Sequence, residues 1–182
     1  MMKQPRAYAA GSPLLVTALA ITALAAHAGP NDIPDSLRVP AGQVLALSAH
    51  GVGVQIYACT AAKDDPGHFS WTLTAPEAEL QDASGKHLGK HYAGPTWEAG
   101  DGSKVIGEVA AKADAPDAAA IPWLLLRAKS TSGAGIFTPV VSIQRLYTDG
   151  GKAPATVCSA QQSASEVRVA YSAEYRFYTV AP

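Results

Sequence analysis

Between Gly85 and Ser103 the chain reads GKHLGKHYAGPTWEAGDGS, and most of the side chains that could do chemistry stand in this stretch. It carries His87, His91, Tyr92, Trp97, Glu98 and Asp101 among glycines and a proline. Glycine at that density does not sustain a helix and weakens a strand, so the backbone is expected to bend. Polar and aromatic side chains on such a backbone suit a binding surface or a catalytic loop. His91 with Glu98 or Asp101 would make an acid–base pair, because a nearby carboxylate tunes an imidazole toward neutral pH. Asp101-Gly102-Ser103 equally fits a plain turn in which the aspartate bonds its own backbone. Tyr92 and Trp97 beside His91 would instead line a pocket, and a tryptophan on a glycine-rich segment, joined by Trp123, is also how sugar-binding faces are made.

Metal chemistry is not expected. His87 and His91 stand four apart, the spacing of a helical zinc pair, but the glycines at 85, 89 and 94 argue against a helix. On a strand the two would lie about 13 Å apart, too far for one ion. The order glycine, histidine, glutamate, glycine resembles a cupin only superficially, since the H-x-H core is missing. No G-x-S-x-G elbow occurs, and Ser132-Gly133-Ala134-Gly135 lacks the lysine of a phosphate loop, so no cofactor is expected. Farther along, Gln144 and Arg145 lie within an apolar run and must point to opposite faces of a strand. Whichever looks inward needs partners. Glu98, Asp101 or Glu108 would make a structural ion pair with Arg145; otherwise the arginine is a polar handle on the floor of a pocket.

The elements that must position these residues are short apolar runs separated by Gly, Pro, Asp and Ser, an all-β pattern. Strands are expected at Gln43 to Ser48, Val52 to Thr60, Phe69 to Thr74, Thr96 to Ala99, Lys104 to Ala113, Ile121 to Lys129 and Ile136 to Tyr147. A last strand or bent pair carries Val167, Val169, Tyr171, Tyr175 and Phe177. Ile121 to Lys129 is nearly unbroken in apolar residues, which suits a strand buried on both faces. Ala75 to Ala83 could make one or two helical turns. Eight or so strands around one core predict a single-domain β-sandwich or a small closed β-barrel with little helix.

At the N-terminus, Lys3 and Arg6 precede an uncharged apolar run from Leu14 to Ala26, and Ala26-His27-Ala28 has small-x-small form. That is the pattern of a cleavable signal peptide over residues 1–28, too short for a membrane anchor. Residues 29–42, polar and rich in proline, read as an extended arm, and 43–182 as the domain. Removing Lys3 and Arg6 with no acid takes the net charge from −1 to −3. Mild acidity gives no basic face for nucleic acid, and no basic amphipathic segment points to a membrane surface. An exported protein, periplasmic or extracellular, with two cysteines is expected to join them, here Cys59 to Cys158.

Five blocks in order carry a family resemblance: GVQIYAC from Gly53, HYAGPTWEAGDGS from His91, IPWLLLRAKS from Ile121, the run from Gly133 through SIQRL to Cys158, and AYSAEYRFY from Ala170. Together they resemble the secreted bacterial and fungal proteins of domain of unknown function 3455. The resemblance implies export and an all-β fold, and no activity. Some relatives bear a malate dehydrogenase label, but G-x-G-x-x-G after a strand and alternating β and α elements are both missing here.

Three functions fit these residues. The first is a binding module for a small molecule or glycan, using His91, Tyr92, Trp97, Glu98, Asp101, Trp123 and Arg145. The second is an extracytoplasmic hydrolase, lyase or isomerase using His91 with Glu98 or Asp101. The third is a cell-envelope structural or interaction protein. Convergence of His91, a carboxylate and Arg145 in one concave site would favour the first two.

Overall fold

The computed structural model describes residues 32–182 together with Met1. The expected signal peptide (apart from Met1) and the first residues of the arm lie outside the described residues. Eight antiparallel strands follow one another around a closed barrel: β1 (Gln43–Ala61), β2 (Phe69–Gln81), β3 (His87–Tyr92), β4 (Thr96–Ala99), β5 (Lys104–Ala113), β6 (Trp123–Ser132), β7 (Ser142–Gly150) and β8 (Glu166–Val180). β8 pairs back onto β1 from Gln43↔Val180 to Ala58↔Glu166 and closes the ring. Closure decides the expected choice between sandwich and barrel, and it gives every strand a neighbour on both sides over at least part of its length.

The β1–β2, β3–β4, β5–β6 and β7–β8 connections lie at one end of the barrel, here the upper end. The β2–β3, β4–β5 and β6–β7 connections lie at the lower end with both termini of the strand array. Inward positions alternate along each strand. They include Leu80, Trp97, Val105, Leu126, Ile143, Tyr171, Ala173, Tyr175 and Phe177, which form one buried cluster. Two glycines make room for the large rings. A Cβ on Gly51 would lie 2.5 Å from the Tyr175 ring, and one on Gly107 would lie 2.9 Å from the Trp97 ring.

That use of glycine explains a difference from the sequence expectation. The segments Gln43 to Ser48 and Val52 to Thr60 are not two strands; they are one strand of 19 residues, β1. Gly51 and Gly53 mark close packing against the strand and not a turn. Residues 75–81, read as a possible helical turn, continue β2, with a bulge between Ile56 and Tyr57 absorbing the extra residue. Residues 136–141 precede β7 as an irregular connection, and from it Phe137 inserts into the lower end of the core.

The arm meets the barrel from outside. A 3-10 turn at Asp35–Leu37 places Leu37, fully buried, against Trp123 and Leu146. The first half of β6 is therefore covered on both faces, with Leu124 and Leu126 inside and Trp123 and Leu125 beneath the arm. Arg127 and the residues from Lys129 onward are exposed, so burial on both faces ends sooner than the apolar run suggested. Cys59 and Cys158 form a disulfide that ties the upper end of β1 to the β7–β8 connection across 99 residues. Among the described residues no helix is long and apolar enough to cross a membrane.

Candidate functional site

The hairpin β3–β4 is the short piece of the barrel wall, with strands of six and four residues beside β2 and β5 with 13 and 10. β2 pairs with β3 only from Ala78 to Gln81, and β5 pairs with β4 only from Lys104 to Ile106. The upper parts of β2 and β5 thus stand above the hairpin without a strand between them. Behind this notch lies a cavity of about 310 Å³ in the upper half of the barrel. Leu73 and Val109 stand on either side of it, 50% and 52% exposed, and the Gly94-Pro95 turn forms its sill.

Inside, the cavity is lined by His91, Trp97, Leu124 and Leu126, with Gln55 and Arg145 as its strongest polar groups. His91 faces Trp97 across the β3–β4 pair, and their rings stack at 4.4 Å with planes 13° apart. The Tyr175 ring meets His91 at 5.2 Å and Trp97 at 5.6 Å. The His91 Nδ1 lies 2.9 Å from the Thr96 carbonyl oxygen, which can only accept, so Nδ1 carries the proton and donates. His91 is 2% exposed, and burial lowers its pKa to about 3, against a smaller opposing effect of the Thr96 bond; Arg145 lowers it further. At neutral pH the ring is therefore uncharged, with its Nε2 an acceptor.

Arg145 enters from β7, the inward neighbour of Gln144. Its Nε and Nη2 donate to the Pro122 carbonyl at 3.2 and 2.8 Å. Burial lowers the guanidinium pKa, while Tyr175, Tyr171 and Tyr57 act in the opposite direction. Desolvation raises the pKa of each of those three phenols, so they stay neutral beside it. The acids that could have paired with Arg145 are engaged elsewhere. Glu98 meets Lys104 at 3.2 Å, Glu108 meets Arg127 at 2.8 Å, and Asp101 accepts from Ser103 and the Ile136 amide. Gln144 turns outward, donates to the Leu37 carbonyl at 2.6 Å and accepts from the Tyr178 hydroxyl at 2.7 Å.

Of the seven residues singled out in the sequence, His91, Trp97 and Arg145 come together at this cavity. Tyr92 and Glu98 lie on the outer face of the same hairpin, where the Tyr92 hydroxyl donates to Glu98 at 2.8 Å. That bond, with Lys104 behind it, holds the Glu98 carboxyl below its usual pKa. Asp101 sits at the lower end, remote from the cavity. Its carboxylate accepts from the Ser103 amide and hydroxyl, as the turn reading expects, and also binds the β6–β7 connection through Ile136. Trp123 is in the outer layer, edge-on to Tyr147 at 5.0 Å. His87 is exposed and bonds Glu79 at 2.7 Å. Among the described residues no group of three or more His, Cys, Asp or Glu side chains could hold a metal ion.

Gln55, and the tyrosines beside Arg145, were not singled out as site residues. Gln55 is 1% exposed, and its Nε2 has no hydrogen-bond partner among the described residues. The signal was present: a glutamine between Val54 and Ile56 in an alternating strand is the same anomaly that drew attention to Arg145.

A family described as "Protein of unknown function (DUF3455)" matches residues 40–179, and the chain belongs to it. No curated protein and no solved structure matches the chain at a significant level.

Proposed function

We propose that this protein binds a small, largely apolar molecule inside the upper half of its barrel. The observation that carries the reading is the cavity of about 310 Å³ behind the notch over β3–β4. Its size falls at the lower end of the roughly 300–1,000 Å³ typical of ligand sites, and its lining of aliphatic and aromatic groups with a few polar ones is their usual composition. Protein interiors are otherwise close-packed, so a space of this size at the centre of the fold calls for a purpose. A glycan is a poorer fit than an apolar molecule, because so few lining groups could satisfy its hydroxyls. Catalysis by His91 with Glu98 or Asp101 gains no support from the geometry: the three do not converge, and a buried imidazole with a pKa near 3 is a weak base at neutral pH. Export to the periplasm or beyond belongs to the same reading, and the Cys59–Cys158 disulfide supports it.

The test uses 1-aminoanthracene, a neutral fluorophore, titrated into the purified protein. Saturable enhancement with one site per chain is expected, together with quenching or shift of Trp97 emission. Val109→Trp places a large ring at the half-exposed rim, where folding should tolerate it, and should lower the probe's affinity at least tenfold. Equal binding by V109W and the parent would mean that the probe binds elsewhere.

A further inference from the structure

The charge inside the cavity points to the ligand's chemistry. We propose that the molecule bound there is an apolar monocarboxylate whose carboxylate pairs with Arg145, a deepening that rests on the cavity reading above. Three observations converge on it. First, a guanidinium does not give up its proton in proteins, so Arg145 brings a permanent positive charge into the barrel. Second, no carboxylate among the described residues lies within ion-pair distance of it. Its neighbours are neutral phenols, a neutral imidazole and the Pro122 carbonyl. Arg145 is only partly exposed; an ion largely withdrawn from water without a counter-charge is unfavourable, and an incoming anion offsets that penalty. Third, the Gln55 amide on the same cavity wall is buried, and its Nε2 has no partner of hydrogen-bond geometry among the described residues. It stands near enough to the Tyr171 hydroxyl to oppose the rise that burial gives that group's pKa, and it is a neutral donor suited to a carboxylate oxygen.

The charge balance selects among anions. One guanidinium neutralises one negative charge, whereas a phosphate dianion would bring a second, uncompensated charge into an apolar space. Nε and Nη2 are engaged by the Pro122 carbonyl, and the Tyr175 hydroxyl also bonds the guanidinium. A carboxylate would therefore take up Nη hydrogens beyond those contacts, as a planar guanidinium allows. The rest of the ligand lies against Trp97, Leu124 and Leu126 and reaches toward Leu73 and Val109 at the notch. The cavity's volume of about 310 Å³ equals roughly ten waters at ~30 Å³ each, room for an acyl chain of about ten carbons.

Competition against 1-aminoanthracene at constant ionic strength tests this, with decanoate, 1-decanol and decylamine as matched competitors. Decanoate should displace the probe at least tenfold more tightly than decanol, and decylamine should be the weakest. In Arg145→Met the probe should still bind, and the order of decanoate and decanol should reverse. Should that variant fail to fold, Gln55→Leu is the second: decanoate should weaken severalfold while decanol holds or improves. If the probe and decanol bind but decanoate shows no advantage in the parent protein, the carboxylate assignment is overturned and the cavity reading stands. If the probe and all three competitors fail to bind, both fall.

Discussion

The upper and lower halves of the barrel interior belong to one ring of strands, yet they are filled differently. In the lower half Phe137 comes in from the β6–β7 connection and meets Phe177 at 4.6 Å, with both rings fully buried. Asp101 and Ser103 hold that connection in place, since the carboxylate accepts from the Ile136 amide and the Ser103 hydroxyl accepts from the Phe137 amide. Among the described residues the upper half has no such plug. The cavity there keeps an arginine and a glutamine among apolar walls, and its rim is two half-exposed aliphatic side chains. Dense packing with satisfied polar groups is what stability selects; a space with surplus hydrogen-bond donors is not. The lower half therefore reads as the scaffold and the upper half as the site.

The largest effect that would sharpen this contrast is expected at the plug. Phe137→Ala should cost about 3–5 kcal/mol, the range for a buried phenylalanine whose site cannot collapse. Leu124→Ala, on the cavity wall, should cost about 2 kcal/mol or less, since that side chain already borders open space. Urea denaturation of both variants gives the comparison, and equal losses would break the distinction between halves.

Acid acts on the upper half next. The folded-state pKa of His91 is depressed, so the unfolded chain takes up its proton first, near the ordinary value of about 6.5. The stability contributed by the neutral ring is complete above that pH. It should fall by up to about 1.4 kcal/mol per pH unit on the way down to the folded-state value. His91 ring resonances that stay flat from pH 8 to 5 in the folded protein would agree, whereas a midpoint near 6.5 would place the ring in water.

A smaller effect is expected at the clamp. Hydrogen bonds from Ser103, then from the Ile136 amide, hold the Asp101 carboxyl below its usual pKa. Its contribution is thus present above the unfolded carboxylate value, about 3.9, and lost as pH falls through the lower folded one. Asp101→Asn should lower the melting temperature at pH 7, with the difference from the parent closing toward pH 2. A difference that persists unchanged at pH 2 would mean that the charge is not what binds the loop.

Arg145→Met should have the smallest effect on the ligand-free protein. Removing a partly buried charge with no counter-ion among the described residues stabilises, losing the donors to the Pro122 carbonyl destabilises, and the two should cancel to within about 1 kcal/mol. A loss of about 3 kcal/mol or more, the cost of breaking a buried ion pair, would make Arg145 a structural brace and remove the contrast between the halves.

Much of the architecture was legible in the chain itself. Period-two alternation is a local property, so β5 and the core of β4 appear where Lys104 to Ala113 and Thr96 to Ala99 predict them. Two cysteines in a chain with a leader-like N-terminus left one intramolecular pairing. The inward turn of one member of the Gln144–Arg145 pair followed from the pleat alone. Glycine misled the reading at Gly51 and Gly53 because the reason for it is a ring on another strand, Tyr175, and an oxygen on β2, which local sequence does not display.

What the sequence determined by itself was thus the all-β class, the cysteine pair and the family blocks, each a matter of pattern within a short window. Only the tertiary structure decided that the sheet closes, because closure depends on β8 meeting β1 more than a hundred residues away. It also divided the glycine-rich segment that first drew attention. His91 and Trp97 turn inward, Tyr92 and Glu98 outward, and Asp101 is carried to the opposite end. Strand register sets the face and strand length sets the height of the wall, and together they place Arg145 opposite a hairpin too short to cover it.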